Sequence, residues 1–360
     1  MKDHLYFMKK AMQLALKAKG MTSPNPLVGA LVVKKGKIIS GGYHQKAGLP
    51  HAEVIALEKA GNLAQGATLY VTLEPCVHFG RTPPCVYKII ESGIKKVVIG
   101  MIDPNPLNNG KSIPILKRHG IEVEVGFLEE KLSKMNEAFI KYITKRLPFV
   151  VVKIAQSLDG KIATYTGDSR WITSDLSRQY ARTLRADFDA VMVGVNTILR
   201  DNPHLNSPDP KRQPKIIVVD SHLSTPSDAL IFKNPEVILV TLPPQPGQET
   251  HNRLILSKKA TILEVKEKEG QVNLKDMLRK LALKEITSIL VEGGGTLVGS
   301  LFDEKLVDKV MFFISPKIIG GKDAISSVMG KGIKSIDKAF VLKDVKFKKM
   351  GQDFLIEGYV

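Results

Sequence analysis

Only two cysteines occur in this chain, and both fall in one short string, PCVHFGRTPPC, as Cys76 and Cys85. Upstream of it stands His51-Ala52-Glu53. One imidazole and two thiolates occupy three corners of a tetrahedral zinc site and leave the fourth open. Such a site constrains the fold strongly, because three separate segments must converge on one point. Glu53, two residues beyond the histidine, can face the same cavity without being a ligand. Water at the open position becomes a nucleophile near neutral pH, and a carboxylate beside it can move protons. Two blander readings stand beside this one: a closed structural zinc site with His78 as fourth ligand, and ordinary buried residues.

Local patterning supplies the elements that would carry these residues. Leu27 to Val33, a turn at Lys35-Gly36 and Ile38 to Gly42 read as a hairpin. The string HAEVIALEKAG reads as a helix that stops at Gly61. Thr68 to Leu73 is a short buried strand that delivers Glu74-Pro75-Cys76. Pro83-Pro84 restarts a helix running through Ile90, with Cys85 in its first turn, where the helix end favours a thiolate. Lys96 to Gly100 and Ile121 to Val125 are further strands with a helix between, and Leu128 to Tyr142 predicts one closing amphipathic helix. Near the N-terminus, Leu5, Met8, Met12, Ala15 and Leu16 have helical spacing. Lysines interrupt the apolar run that a signal peptide would need.

A boundary falls at Leu147-Pro148, giving domains 1–147 and 148–360. The second domain alternates again. Strands are expected at Phe149 to Ala155, Ala190 to Gly194, Ile216 to Val219, Val237 to Thr241, Ser288 to Val291 and Val310 to Ile314, with two more near the C-terminus. Helices are expected at Asp175 to Ala186, Leu274 to Leu283, and from the Gly293-Gly294-Gly295 turn to Phe302. Leu242 to Asn252 reads as a loop. Both halves are therefore α/β. A strand ending in Glu292, then three glycines and a helix, suits a phosphate cradle, although turn glycines need no ligand. The string is not G-x-G-x-x-G, so no Rossmann fold is implied.

The formal net charge is +17, which favours anionic partners. The lysines are dispersed, which also suits a solvated surface. Aromatic residues make up 6% of the chain, and with only short basic clusters, such as Lys258-Lys259 and Lys346 to Lys349, this argues against a stacking surface for nucleic acid. No apolar run reaches the roughly 18 residues of a membrane span. Cysteines reserved for metal agree with a reducing compartment, and we expect a cytoplasmic protein with neither a nucleic-acid nor a membrane partner.

H-x-E followed by P-C and a second Cys is the pattern of zinc nucleobase deaminases. The strings NPLVGA, GYHQKAGLPHAEVIAL, YVTLEPCVHFGRTPPC and DPNP go further. They resemble the deaminase half of the bifunctional pyrimidine deaminase/reductases of riboflavin biosynthesis. Cytidine and tRNA adenosine deaminases usually close with C-x-x-C, whereas this chain has the longer step containing GRTPP. In the second half, KIAQSLDGKIAT, TGDSRWITS, GVNTILRDNP and VEGGGTLVGS resemble the reductase half of the same family.

The resemblance implies an N-terminal cytidine-deaminase-like α/β/α sandwich and a C-terminal dihydrofolate-reductase-like α/β domain, with zinc and NADPH as cofactors. It implies His51, Cys76 and Cys85 as zinc ligands, Glu53 as the catalytic proton carrier, and Asn25, His44 and Arg81 beside the deaminase substrate. These last three also have plain readings as a turn residue, a loop histidine and a surface charge. In the reductase it implies Lys153, Ser169, Arg185 and Glu292 at the substrate. Ala155, Trp171, Thr197, Asp201, Ser221, Gly294, Gly295, Thr296, Leu297, Val298, Gly299 and Ser300 would contact the dinucleotide. Trp171 could instead be core, and Asp201-Asn202-Pro203 could be a simple turn. The family commonly has a further arginine after the DNP string, and Arg212 is the nearest candidate here. The implied partner is a small phosphorylated pyrimidine, and the implied assembly is a homo-oligomer, a dimer. A nucleic-acid deaminase and a protein with one inactive half are the alternatives.

Overall fold

The computed structural model describes residues 2–244 and 251–360, with the side chain of Lys2 left aside. The chain splits into two compact units, Met1–Leu147 and Pro148–Val360.

In the first unit the elements are α1 (Lys2–Ala15), β1 (Gly29–Lys34), β2 (Lys37–Tyr43), α2 (Ala52–Ala60), β3 (Thr68–Leu73), α3 (Cys85–Glu91), β4 (Lys96–Met101), α4 (Ser112–Arg118), β5 (Glu122–Val125), α5 (Glu129–Met135) and α6 (Glu137–Lys145). The strands form one sheet in the order β2-β1-β3-β4-β5. β1 is antiparallel to both neighbours, and β3, β4 and β5 run parallel. β1, β3 and β4 are almost wholly enclosed, which is why they read as apolar runs.

Two glycines let helices lie directly on this sheet. A Cβ at Gly42 would come within 2.5 Å of the Ala52 carbonyl oxygen, and one at Gly29 within 2.1 Å of the Ala11 carbonyl oxygen. The buried face of α2 is correspondingly small: Ala52, Ala56 and Ala60 beside Leu57. Gly42→Ala would push the first turn of α2 off β2, at a cost of about 1–3 kcal/mol. We expect a lower unfolding temperature and less zinc per chain by elemental analysis, because His51 and Glu53 sit on that turn.

Two expectations change here. The closing helix is broken into α5 and α6 at Asn136. Its side chain accepts from the Leu27 amide (2.8 Å) and donates to the Leu27 carbonyl (3.1 Å), completing the backbone of a distant loop. On α1 the buried face is Phe7, Met8, Ala11 and Ala15, while Leu5 and Leu16 are exposed. Lysines flank the apolar positions, and Phe7, which the spacing argument omitted, supplies the packing.

In the second unit, β6 (Phe149–Ser157), β7 (Lys161–Ala163), α7 (Asp175–Leu184), β8 (Ala190–Gly194), α8 (Val195–Asp201), β9 (Lys215–Val219), β10 (Val237–Thr241), α9 (His251–Ser257), β11 (Thr261–Glu264), β12 (Glu267–Lys268), β13 (Gln271–Val272), α10 (Leu274–Leu283), β14 (Ser288–Val291), α11 (Gly295–Asp303), β15 (Lys309–Ser315), β16 (Ile325–Ser326), β17 (Lys343–Met350) and β18 (Asp353–Tyr359) follow in order. Among the described residues the main sheet has nine strands, ordered β11-β10-β9-β8-β14-β6-β15-β18-β17. Strands β11 through β15 of that order are parallel, and β18 and β17 close the edge antiparallel. The parallel strands send their C-terminal ends to one edge, where α/β sheets bind ligands. Residues 245–250 of the expected loop Leu242–Asn252 lie outside the described residues, and Asn252 belongs to α9.

Candidate active sites

His51 is the residue before α2, Cys76 follows β3, and Cys85 opens α3. Their ligand atoms lie within 4.8 Å of one another, and among the described residues no other such cluster forms. The His51 Nδ1 is 3.0 Å from Cys85 Sγ and 3.6 Å from Cys76 Sγ, and the two sulfurs are 3.5 Å apart. The outer nitrogen, Nε2, meets Thr82 Oγ1 at 3.1 Å, which fixes the ring so that Nδ1 faces the thiols. The hydrogen bond between the sulfurs holds Cys76 down to about 4 and drives Cys85 up. A divalent cation would replace the shared proton, and the donor set suits zinc.

Sequence reasoning placed Cys85 at a helix start to favour its own thiolate. The geometry differs: the Cys85 amide donates to Cys76 Sγ at 3.2 Å, so the first turn of α3 serves the other cysteine. Glu53 is 3% exposed, its Oε2 has no hydrogen-bond partner, and burial pushes its carboxyl up to about 7. It is not in the ligand cluster, so it is available for proton transfer.

Asn25 and His44 sit beside the cluster. Asn25 Nδ2 donates to His44 Nε2 (3.0 Å), and His44 Nδ1 meets the Pro50 carbonyl at 3.2 Å. The His44 ring stands edge-on to His51 at 5.2 Å. His44 lies in the loop that follows β2 and is 2% exposed, so it is a buried loop histidine. Arg81 is exposed in the loop before Thr82. His78 is half-buried and outside the ligand cluster, which removes it as a fourth ligand. Burial raises the Asp103 carboxyl to about 6.

Glu74, not singled out from the sequence, braces the loop beneath the site. Its carboxylate accepts from the amides of Asp103, Gly110 and Ser112 and from the Ser112 hydroxyl. Asn108 accepts from the Val77 amide and donates to the Pro75 carbonyl, holding the backbone on both sides of Cys76. Glu74 adjoins Pro75-Cys76, but only the tertiary fold brings its donors within reach.

The second unit has a cavity of about 900 Å³ at the C-terminal edge of its parallel strands. Lys153, Ala155, Ser169, Trp171, Arg185, Thr197, Asp201, Glu292 and Gly294 all line it. At its floor Glu292, with its side chain 7% exposed, joins two cations. Lys153 Nζ lies 3.0 Å from Oε2, and Arg185 grips the carboxylate with Nε at 2.7 Å and Nη2 at 3.1 Å. Burial would raise the Glu292 pKa, but Lys153 and Arg185 outweigh it and hold the acid at about 2.

Trp171 is 56% exposed with the Arg178 guanidinium 4.3 Å from its ring centre, which excludes the core reading. Asp201 ends α8, and Asn202 caps it in the left-handed conformation (φ 42°), so the DNP string is a helix end on the cavity wall.

The glycine string divides between cavity and core. Gly294 caps α11, and a Cβ there would meet nothing within 4 Å. The first-turn amides of α11 beside it lack partners within the helix, which fits a dinucleotide phosphate. Gly295 and Gly299 are glycine for another reason: a Cβ would meet the Ser326 carbonyl oxygen at 2.2 Å and the Met329 carbonyl oxygen at 1.7 Å. Leu297 and Val298 are buried, and the Val298 amide bonds the Gly294 carbonyl, so neither side chain is offered to a ligand. Thr296 is exposed, and the Ser300 hydroxyl donates to the Thr296 carbonyl. Ser221 follows β9 and is not among the residues lining the cavity, and its carbonyl accepts from Leu242 and Thr241. Arg212 pairs with Asp209 at 2.8 Å and is not among the residues lining the cavity, although Ser207 and Pro208 are.

Comparison with known proteins covers both units. Residues 1–101 match the cytidine and deoxycytidylate deaminase zinc-binding region, and residues 148–356 match the RibD C-terminal domain. The riboflavin biosynthesis protein RibD of Aquifex aeolicus is 45% identical, over 97% of this chain and 96% of its own length. That of Escherichia coli is 36% identical over 97% of each. Among solved structures, a Thermotoga maritima diaminohydroxyphosphoribosylaminopyrimidine deaminase/5-amino-6-(5-phosphoribosylamino)uracil reductase is 38% identical. It has a TM-score of 0.88 and covers 99% of each chain. With the zinc cluster in one unit, the ligand cavity in the other and such relatives along its whole length, the chain belongs to the RibD family of riboflavin biosynthesis proteins, zinc-dependent deaminases joined to NADPH-dependent reductases.

Proposed function

We propose that residues 1–147 deaminate 2,5-diamino-6-ribosylamino-4(3H)-pyrimidinone 5′-phosphate and that residues 148–360 reduce its ribosyl group, giving 5-amino-6-ribitylaminouracil 5′-phosphate. The observation that carries this reading is an enclosed carboxylate with an unbonded oxygen, Glu53 Oε2, beside a three-ligand metal cluster. Bound at His51, Cys76 and Cys85, zinc supplies an acidified water near neutral pH. Glu53 takes one proton from the attacking water and gives it to the ring nitrogen, then takes the remaining hydroxyl proton of the adduct and gives it to the departing amino group. The C–N bond breaks, ammonia leaves, and a carbonyl remains. Asn25 and His44 orient the pyrimidine, and Arg81 meets its outer part.

In the reductase, NADPH supplies the hydride, which adds to C1′ of the ring-opened imine. Lys153, held 3.0 Å from Glu292 at the cavity floor, donates the accompanying proton to the imine nitrogen. Arg185 steadies Glu292, and Ser169 contacts the substrate. Trp171, Thr197, Asp201, Ala155 and the Gly294 turn hold the dinucleotide.

The site of action is the cytoplasm, and no helix among the described residues is long and apolar enough to cross a membrane. The chain assembles as a homodimer. β17, an exposed edge strand carrying Val345 and Phe347, is a surface that pairing would cover.

A paired assay tests the reading. With zinc-loaded protein and the diaminopyrimidinone phosphate, ammonia should appear first and NADPH absorbance should then fall. Absence of ammonia from the wild-type protein would overturn the deaminase assignment. Deaminated substrate that leaves NADPH unoxidised would overturn the reductase assignment.

A further inference from the structure

A phosphate monoester brings close to two negative charges into the reductase cavity, and an arginine fork is the side chain best shaped to meet it. The cavity wall holds Arg170, Arg178, Arg182 and Arg185, and three of these are already engaged. Arg185 closes Nε and Nη2 on Glu292 and donates Nη1 to the Asn206 carbonyl at 3.0 Å. Arg178 donates to the Thr173 carbonyl at 2.6 Å, pairs with Asp175 and lies over Trp171. Arg170 donates to the Asp201 carbonyl at 3.0 Å and also lies near Trp171. Arg212, not among the residues lining the cavity, pairs with Asp209.

Arg182 differs from all of these. It lies on α7 one turn after Arg178 and one turn before Arg185, so all three share a helix face. It is exposed on the cavity wall and has no ion-pair or hydrogen-bond partner among the described residues. The helix that carries it is pinned. Asp353 Oδ2 accepts from the Ser174 amide (2.8 Å) and from the hydroxyls of Ser174 and Ser177 (2.6 Å each), a buried carboxylate at the start of α7. A long cation on an anchored helix, facing a cavity whose other arginines are occupied, is placed to receive an anion.

We infer that Arg182 is the principal ligand of the substrate's 5′-phosphate in the reductase unit. The inference rests on the reductase reading given above and adds to it which side chain selects a phosphorylated over an unphosphorylated ribosylaminopyrimidine.

The test uses the full-length zinc-loaded chain and follows NADPH oxidation on the deaminated ribosyl phosphate and on its dephosphorylated form. Arg182→Met should reduce the kcat/KM preference for the phosphorylated substrate by about 10- to 100-fold, the range of one lost charge-assisted bond. The loss should sit in KM. Inhibition by inorganic phosphate should weaken in parallel, and Arg182→Lys should restore part of the preference through its point charge. Ammonia release by the same preparations reports the first unit, and an unfolding temperature matching wild type reports that the second is folded. Should Arg182→Met fail to fold, the smaller loss expected in Arg182→Lys decides the matter. A preference within about twofold of wild type in a folded variant overturns the Arg182 assignment and leaves the reductase reading standing. A wild-type chain that oxidises no NADPH on the phosphorylated substrate overturns both.

Discussion

Glu53→Gln stops deamination and leaves the metal in place. The substitution keeps the shape of a side chain that is 3% exposed and removes its ability to accept a proton. General acid–base catalysis contributes about 100- to 10,000-fold, so ammonia release should fall by that factor. Zinc content by elemental analysis should match wild type, because Glu53 lies outside the ligand cluster. The unfolding temperature should not drop: an unbonded buried carboxylate oxygen is a cost to the fold that a neutral amide lessens. NADPH oxidation on substrate supplied already deaminated should persist. Ammonia release near the wild-type rate would remove Glu53 from the chemistry.

Glu292→Gln has the largest effect on the second unit. The carboxylate is the only anion of a buried Lys153–Glu292–Arg185 group, so neutralising it leaves two cations facing each other. Breaking a buried pair in this way costs about 3–5 kcal/mol. The unfolding temperature should fall clearly, and NADPH oxidation should fall with it, because Lys153 loses the partner that aims it. Protonation is the milder version of the same change. Glu292 is held at about 2 against an ordinary 4.5, so its contribution is complete above about 4.5 and is lost as pH falls through about 2. The wild-type reductase rate should therefore show no acid limb near 4.5. Such a limb, or an unfolding temperature unchanged in Glu292→Gln, would show the triad to be unimportant.

Much of the zinc site was legible because its residues sit at element boundaries that have local signatures. Pro83-Pro84 marks the start of α3, Gly61 marks the end of α2, and Thr68–Leu73 reads as a buried strand from its composition. Long-range polar pairs were not legible. Asn136 breaks a helix to complete the Leu27 backbone, and Glu74 gathers four donors from residues 103–112, with nothing local to announce either. The glycine string was legible as a strand–turn–helix junction, yet Gly295 and Gly299 are glycine because the 326–330 backbone presses on α11.

What the sequence determined by itself is therefore chemistry at known spacing: one histidine, two cysteines and a carboxylate in the first unit, and a reductase pattern in the second. Only the tertiary structure decided how those groups are occupied. It turned the Cys85 amide toward Cys76, took His78 out of the ligand set, paired Arg185 with Glu292 and left Arg182 on the cavity wall. The physical reason is range. Propensity, capping and periodicity act over a few neighbouring residues, whereas the partner that a buried charge or amide finds depends on which distant segments the sheet brings alongside it.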